Sequence, residues 1–174
     1  MVSREGTESV RLAFPELGEE ELAEVRAVFE SGALTMGPKV EALEELVAAA
    51  CGVEHAVAVS NGTAALHLAV LALGIGQGVN GHLDEVIVPA YTFPATANVV
   101  RLVGATPVLV DVDPATFNLD VGKVYDAVTP RTKAVLAVHL FGRPLDWEAL
   151  QSAVPPEVLL LEDAAGALLS LIHI

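Results

Sequence analysis

The hydrophobic positions along the chain follow two patterns, which change near residue 56. Before that point, apolar residues recur every three or four positions within Glu19–Glu30 and again after Pro38, which predicts two amphipathic helices. Gly32 and Gly52 follow these two stripes, where a glycine commonly ends a helix, and Pro38 suits a first helical turn. We therefore predict that residues 1–55 form a helical segment.

From residue 56 onward, short apolar runs alternate with helical patterns, and the runs have the length of buried strands. The predicted strands are Ala56–Val59, Glu85–Val88, Val108–Asp111, Lys133–Val138 and Val158–Leu161. The predicted helices are Thr63–Leu73, Pro94–Val103, Val121–Val128 and Leu145–Ala153. This alternation predicts βα units and a largely parallel sheet, the α/β class, over residues 56–168.

The composition suits a sheet that helices bury on both faces, because 53% of residues are apolar and only 18% are charged. Nine basic and 23 acidic side chains give a net charge of −14, which argues against nucleic-acid and anionic-membrane partners. Cys51 is the single cysteine, so an intrachain disulfide and a cysteine-based zinc site are both excluded. No segment has the pattern of a signal peptide or a membrane span, so we expect a cytoplasmic protein.

Ligands of parallel sheets bind beyond the carboxyl ends of the strands, so the residues that follow each apolar run are the candidate site. Ser60–Thr63 joins a predicted strand directly to a helix. Gly62 allows close backbone approach and the first helical N–H groups lack internal partners, so this loop could hold a phosphate. The same residues also fit an ordinary Ser/Thr helix cap. The loop matches neither a Walker A motif nor a dinucleotide glycine motif, which disfavours nucleoside triphosphates and NAD.

Phe93 and Asp163 follow two other predicted strands, and each allows two interpretations. The ring of Phe93 could cover a planar ligand or could be a core or gate residue. Asp163, which with Glu162 ends an apolar strand, could pair with a cationic nitrogen or could cap a helix. His139 also follows a strand and could contact a ligand or could be a buried structural residue. No metal-ligand spacing is found for the other histidines, which are His55, His67, His82 and His173.

Four segments in order resemble the DegT/StrS-type sugar aminotransferases, which use pyridoxal 5'-phosphate. The segments are SNGTAALHLAVLALGIG, DEVIVPAYTFPATANVVRLVGATPVLVDVDPATFNLD, VTPRTKAVLAVHLFGRPLD and LEDAAGA. The resemblance runs from about Leu12 to Leu168. It implies a three-layer α/β/α large domain of the type I aminotransferase fold, of which this chain would be an incomplete part.

Carried onto the matching positions, the resemblance implies that Gly62, Thr63 and Ala64 hold the cofactor phosphate. It implies that Phe93 stacks on the pyridine ring and that Asp163 pairs with the ring nitrogen. An ionised Asp163 would keep that nitrogen protonated, so that the ring can accept electrons from the substrate. His139 completes the predicted cofactor-binding set.

The sequence departs from the family pattern at three places. The family's catalytic lysine lies downstream of the position of Asp163, and the three lysines here, Lys39, Lys123 and Lys133, do not match it. Gly166 stands where the family often has Gln, His or Glu. Residues 169–174, LSLIHI, resemble a translated sequencing adaptor, so we expect a truncated reading frame with a foreign tail.

Three functional hypotheses remain open from the sequence. The parent protein is expected to be an aminotransferase acting on nucleotide-linked keto sugars, with glutamate as amino donor and a homodimeric assembly. A sugar dehydratase relative, in which a histidine replaces the lysine, is the first alternative. The second is that the 174-residue chain is an inactive fragment with only a partial cofactor site.

Overall fold

The structure is a computed structural model that describes residues 15–76, 78 and 81–167. The predicted tail, residues 169–174, lies outside the described residues. The chain divides into two compact units between Ala58 and Val59. No helix of the described chain is long and apolar enough to cross a membrane.

The first unit contains the two helices that the apolar stripes predict, α1 over Glu19–Ser31 and α2 over Pro38–Cys51. The glycine that follows each helix adopts a left-handed conformation, with φ of +71° at Gly32 and +66° at Gly52. At the start of α1 the Glu21 carboxylate accepts the Gly18 N–H, a contact that lowers the pKa of Glu21.

The second unit alternates helices and parallel strands, as the sequence pattern predicts. Its elements are α3 (Gly62–Ala72), β1 (Glu85–Pro89), α4 (Ala95–Leu102), β2 (Thr106–Val110), α5 (Val121–Ala127), β3 (Thr132–Val138), α6 (Trp147–Ala153) and β4 (Leu159–Asp163). The four strands pair in the order β2-β1-β3-β4, and all three pairings are parallel. The chain leaves β1 toward β2 and later returns to the other side of β1, so the β1–β3 boundary is a topological switch point.

Alternating side chains on each strand divide the core between the two faces of the sheet. On one face, Val86 and Leu136 pack with Val70 of α3 and Val99 of α4. The opposite face packs against α5 and α6, with Ile87 and Val135 beside Val124 and Leu150. The second unit therefore has the helix–sheet–helix layers expected from the sequence.

One predicted strand does not form. Ala56–Val59 is irregular in the structure, and the Ala58 N–H donates to Oε1 of Glu44 at 2.7 Å rather than to a neighbouring strand. An apolar run becomes a strand only when another strand pairs with it, and local sequence does not report whether such a partner exists.

The buried β3 strand gives a direct test of the core. Leu136→Ala should lower the free energy of unfolding by about 2–5 kcal/mol, because Leu136 is completely buried and the surrounding side chains close the cavity only partly. Leu109→Ala on β2 is the matched control, since Leu109 is 63% exposed, and should cost less than about 1 kcal/mol. Urea unfolding followed by circular dichroism measures both values, and equal losses would contradict this assignment of the core.

Candidate active site

The amino end of α3 carries two free backbone donors. Asn61 is the N-cap, and its Oδ1 accepts the Ala64 N–H at 2.9 Å. Within the described chain, the N–H groups of Gly62 and Thr63 have no hydrogen-bond partner. These unpaired groups, together with the positive end of the helix dipole, favour an anion at this position.

The space above this turn is open. A Cβ atom added at Gly62 would have no atom within 4 Å, which leaves room for a phosphate against the backbone. The structure corrects one detail of the sequence interpretation, because the cap is Asn61 rather than a Ser or Thr. The predicted phosphate contact of Ala64 stays a prediction, and its N–H is bonded to Asn61, so Gly62 and Thr63 supply the free donors.

Asp163 is the last residue of β4 and is half-buried. Its Oδ1 accepts the Ala165 N–H at 3.1 Å, so the carboxylate caps the turn that follows the strand. Its second oxygen is available for a ligand. Because Leu161 packs on the α3/α4 face, the alternation along β4 directs Asp163 toward the same face as α3. The phosphate turn and the carboxylate thus lie on one face at the carboxyl edge of the sheet.

Glu162 points to the other face and pairs with His139. The backbone N–H of Leu145 donates to Nδ1 of His139 at 3.0 Å, so Nδ1 carries no proton and Nε2 donates to the Glu162 carboxylate. The backbone N–H of His139 also donates to the backbone carbonyl of Asp163 at 3.1 Å. Buried His139 therefore joins the ends of β3 and β4.

The predicted contact of His139 with the cofactor stays a prediction, and the structure shows what the ring bonds to within the protein. Both ring nitrogens are occupied by protein groups. Its role is to hold the end of β4, where Asp163 lies. The pairing with Glu162 depends on the β3–β4 register, in which Val138 lies opposite Asp163, and this register is not visible in the sequence.

Phe93 lies in the loop between β1 and α4, and 72% of its surface is exposed. The interpretation of Phe93 as a core residue is therefore wrong, and its ring is available to a ligand. Since α4 packs on the same face of the sheet as α3, the loop that carries Phe93 leads onto the face of Gly62 and Asp163.

Gly166 lies in the turn after β4, close to the short 3₁₀ turn at Leu140–Gly142. A Cβ atom at Gly166 would make only ordinary contacts, at 3.8 Å to the His139 carbonyl oxygen and 3.9 Å to the Gly142 nitrogen. The described structure therefore tolerates a side chain at this position, and the glycine is not required by crowding.

Among the described residues, no group of three or more His, Cys, Asp and Glu side chains could hold a metal ion. Three exposed aromatic residues, Tyr91, Phe117 and Phe141, form a cluster that the sequence interpretation missed. Each of the three follows a strand that was predicted, and this position is the signal that could have revealed them.

Residues 15–173 match the DegT/DnrJ/EryC1/StrS aminotransferase family. The chain is also similar to solved structures of longer proteins. It is 42% identical to 3-amino-5-hydroxybenzoic acid synthase, with a TM-score of 0.82, over 90% of this chain and 40% of that one. It is 34% identical to an aminotransferase from Psychrobacter cryohalolentis, with a TM-score of 0.82, over 89% of this chain and 39% of that one.

A dehydratase is also similar to the chain. The GDP-4-keto-6-deoxy-D-mannose-3-dehydratase of E. coli, solved with bound hydrated PLP, is 33% identical with a TM-score of 0.78. That match covers 87% of this chain and 40% of the dehydratase. The chain thus spans about 40% of the length of these relatives.

Proposed function

The chain belongs to the DegT/DnrJ/EryC1/StrS aminotransferase family, and from this premise we propose that it forms the cofactor-binding part of a sugar aminotransferase. The fold is that of the type I aminotransferases, and pyridoxal phosphate is the cofactor of the family. The observation that carries the proposal is the placement of the free Gly62 and Thr63 donors, exposed Phe93 and the Asp163 carboxylate at one edge of the sheet.

The residues present fit the cofactor in three respects. The turn at Gly62 and Thr63 suits its phosphate, because two unpaired N–H groups lie there and the space around the Cβ position of Gly62 is open. Exposed Phe93 can cover the pyridine ring. Half-buried Asp163 can hold a proton on the ring nitrogen through an ion pair. When bound, the cofactor supplies an electron sink for the substrate carbon that exchanges its amino group.

The protein residues act mainly by positioning and charge. The helix dipole of α3 would help to hold the phosphate, and Asp163, held by its hydrogen bond to Ala165, would supply a negative charge to the ring nitrogen. His139 and Glu162 fix the end of β4 from the opposite face. Pre-organised charges of this kind stabilise charge that develops during reaction without reorganising at that moment.

The substrate, the amino donor and the assembly belong to the same proposal. We propose a nucleotide-linked keto sugar as amino acceptor, glutamate as donor and a homodimer as the working form, as the family resemblance implies. The 33% identity to a dehydratase supports a second candidate, sugar dehydration with the same cofactor site. A complete enzyme that releases 2-oxoglutarate from glutamate for each sugar aminated would favour transamination, and loss of a sugar hydroxyl would favour dehydration.

Cofactor binding by the 174-residue chain tests the site itself. We expect the chain to bind pyridoxal 5'-phosphate more tightly than pyridoxal, because only the former carries the phosphate. Phe93→Leu should weaken that binding about tenfold, the scale of one lost aromatic contact. Tyr125→Leu is the matched control, since Tyr125 is an equally exposed aromatic residue on α5. Absorbance titration gives both affinities, and an unchanged affinity in Phe93→Leu would remove Phe93 from the site.

A further inference from the structure

Three aromatic rings form one exposed cluster beyond the carboxyl edge of the sheet. The ring centroid of Phe117 lies 5.9 Å from that of Tyr91 and 5.8 Å from that of Phe141, and the Tyr91–Phe141 distance is 6.5 Å. Tyr91 follows β1, Phe117 follows β2 and Phe141 follows β3. Because these three strands are neighbours, the sheet brings together loops that are distant in sequence. We call these three residues the aromatic platform.

The backbone of the platform is strained. Phe117 and Phe141 have φ of +62° and +57°, a left-handed conformation that bulky residues rarely adopt. Their side chains are nevertheless 44% and 66% exposed, and Tyr91 is 52% exposed. Because the rings of Phe117 and Phe141 are exposed, they add little hydrophobic stabilisation to offset this backbone strain. Backbone strain of this kind concentrates at sites that bind ligands.

The platform loops are tied to each other. Buried Asn118 donates from Nδ2 to the Arg143 carbonyl at 3.0 Å and accepts the Leu140 N–H at Oδ1 at 3.3 Å. Nη1 of Arg143 donates to the Ala115 carbonyl at 3.1 Å. These bonds link the loop that carries Phe117 to the loop that carries Phe141. The two loops are therefore held together before any ligand binds, which lowers the entropy cost of binding.

The chemistry of the platform fits a flat, uncharged ring with a phosphate nearby. Aromatic side chains stack on nucleobases with little dependence on the base. Arg143 is exposed and offers a planar guanidinium whose fork geometry matches phosphate, and it lies in the same pair of loops. The chain has a net charge of −14, so its overall field does not attract a phosphate, and a local cation such as Arg143 would be needed to bind one.

The platform also lies beside the proposed cofactor site. Tyr91 is two residues from Phe93, so their Cα atoms lie within about 7 Å of each other. We propose that the aromatic platform stacks the nucleobase of a nucleotide-linked substrate, with Arg143 contacting its diphosphate, while the sugar reaches toward Phe93 and Asp163. This inference rests on the proposed function, since it assigns a subsite for the substrate of that reaction.

Nucleotide binding to the 174-residue chain tests the platform. Calorimetric titration with uridine, thymidine and guanosine diphosphates should give binding at least about tenfold tighter than ribose 5-phosphate or pyrophosphate, which lack a base. Phe117→Leu and Phe141→Leu should each weaken nucleotide binding about tenfold. Tyr125→Leu should leave it unchanged. Arg143→Gln should weaken binding of the diphosphates more than binding of the corresponding nucleosides.

Each outcome has a defined meaning. Equal affinity for nucleotides and ribose 5-phosphate, or unchanged affinity in both phenylalanine variants, would overturn the proposal. A change in self-association without a change in nucleotide affinity would show that the platform contacts a second copy of the chain instead, which also overturns it. Saturation-transfer NMR on the unmodified chain, with strongest transfer to base protons, gives the same decision if a variant fails to fold.

The platform and the cofactor site can fail separately. Nucleotide binding without binding of pyridoxal 5'-phosphate would support the platform and contradict the proposed function. If the chain binds the cofactor through Phe93 but does not bind nucleotides, the proposed function is supported and the platform is eliminated as a substrate subsite.

Discussion

If the complete enzyme is the proposed aminotransferase, Asp163→Asn is expected to lower its turnover by about two to three orders of magnitude, the scale of losing one pre-organised electrostatic group. An amide carries no charge, so it cannot hold a proton on the pyridine nitrogen, and the electron sink weakens. The fold should be preserved, because an asparagine oxygen can still accept the Ala165 N–H that Asp163 accepts at 3.1 Å. Steady-state kinetics with saturating cofactor measures the loss in kcat.

Two controls accompany this variant. Glu157→Gln removes one negative charge from an exposed position before β4 and should leave turnover unchanged. Asp163→Glu retains the charge but displaces it by one methylene group, and we expect it to recover part of the lost activity. Near-normal turnover in Asp163→Asn, with normal cofactor content, would remove Asp163 from the role proposed here.

The 174-residue chain by itself is expected to show no transamination and no dominant pyridoxyl-lysine after borohydride reduction. Lys39 pairs with Glu24 within the first unit. Lys133 is the second residue of β3, and Val138 at the end of that strand lies opposite Asp163. Five residues of extended strand, about 16 Å, separate the Cα atoms of Lys133 and Val138. A lysine side chain cannot span this distance, so its amine cannot form a bond with a cofactor held at Asp163.

Lys123 is also unsuited to the reaction. Its Nζ lies 3.1 Å from Asp111, which directly follows β2, and β2 is at the opposite edge of the sheet from β4. Three strand spacings, about 14 Å, separate those two edges. Peptide mass mapping after reduction, together with an assay for 2-oxoglutarate, tests the expectation. A single dominant adduct at any of the three lysines would show that the cofactor lies elsewhere.

The order of the elements could be predicted from the sequence because each is encoded by local periodicity. The predicted helix at Val121–Val128 ends one residue earlier in the structure, and the predicted strand at Lys133–Val138 begins one residue earlier. The strand at Val108–Asp111 is observed at Thr106–Val110, a shift typical of boundaries that backbone pairing decides. Ala56–Val59 has the composition of a strand but no strand partner in the structure.

Candidate site residues could be located in the same way, since every strand end carries a short polar or aromatic segment. Gly62, Phe93 and Asp163 each follow an apolar run, and the rule that ligands bind beyond carboxyl ends selects them without coordinates. The sequence alone leaves two interpretations for Phe93, Asp163 and His139, because it does not show which side chains are already bonded to protein groups.

The sequence by itself therefore determined the α/β class, the order of helices and strands and the loops that contain the site. Only the tertiary structure decided that Glu162 forms a hydrogen bond with the ring of His139 and that Asp163 shares a face with α3. The contact between the rings of Phe117 and Phe141 was decided in the same way. The physical reason is that helix and strand periodicity is a property of neighbouring residues. Strand order, register and left-handed backbone conformations arise from contacts between residues far apart in the chain, and their energies are settled only when the sheet has assembled.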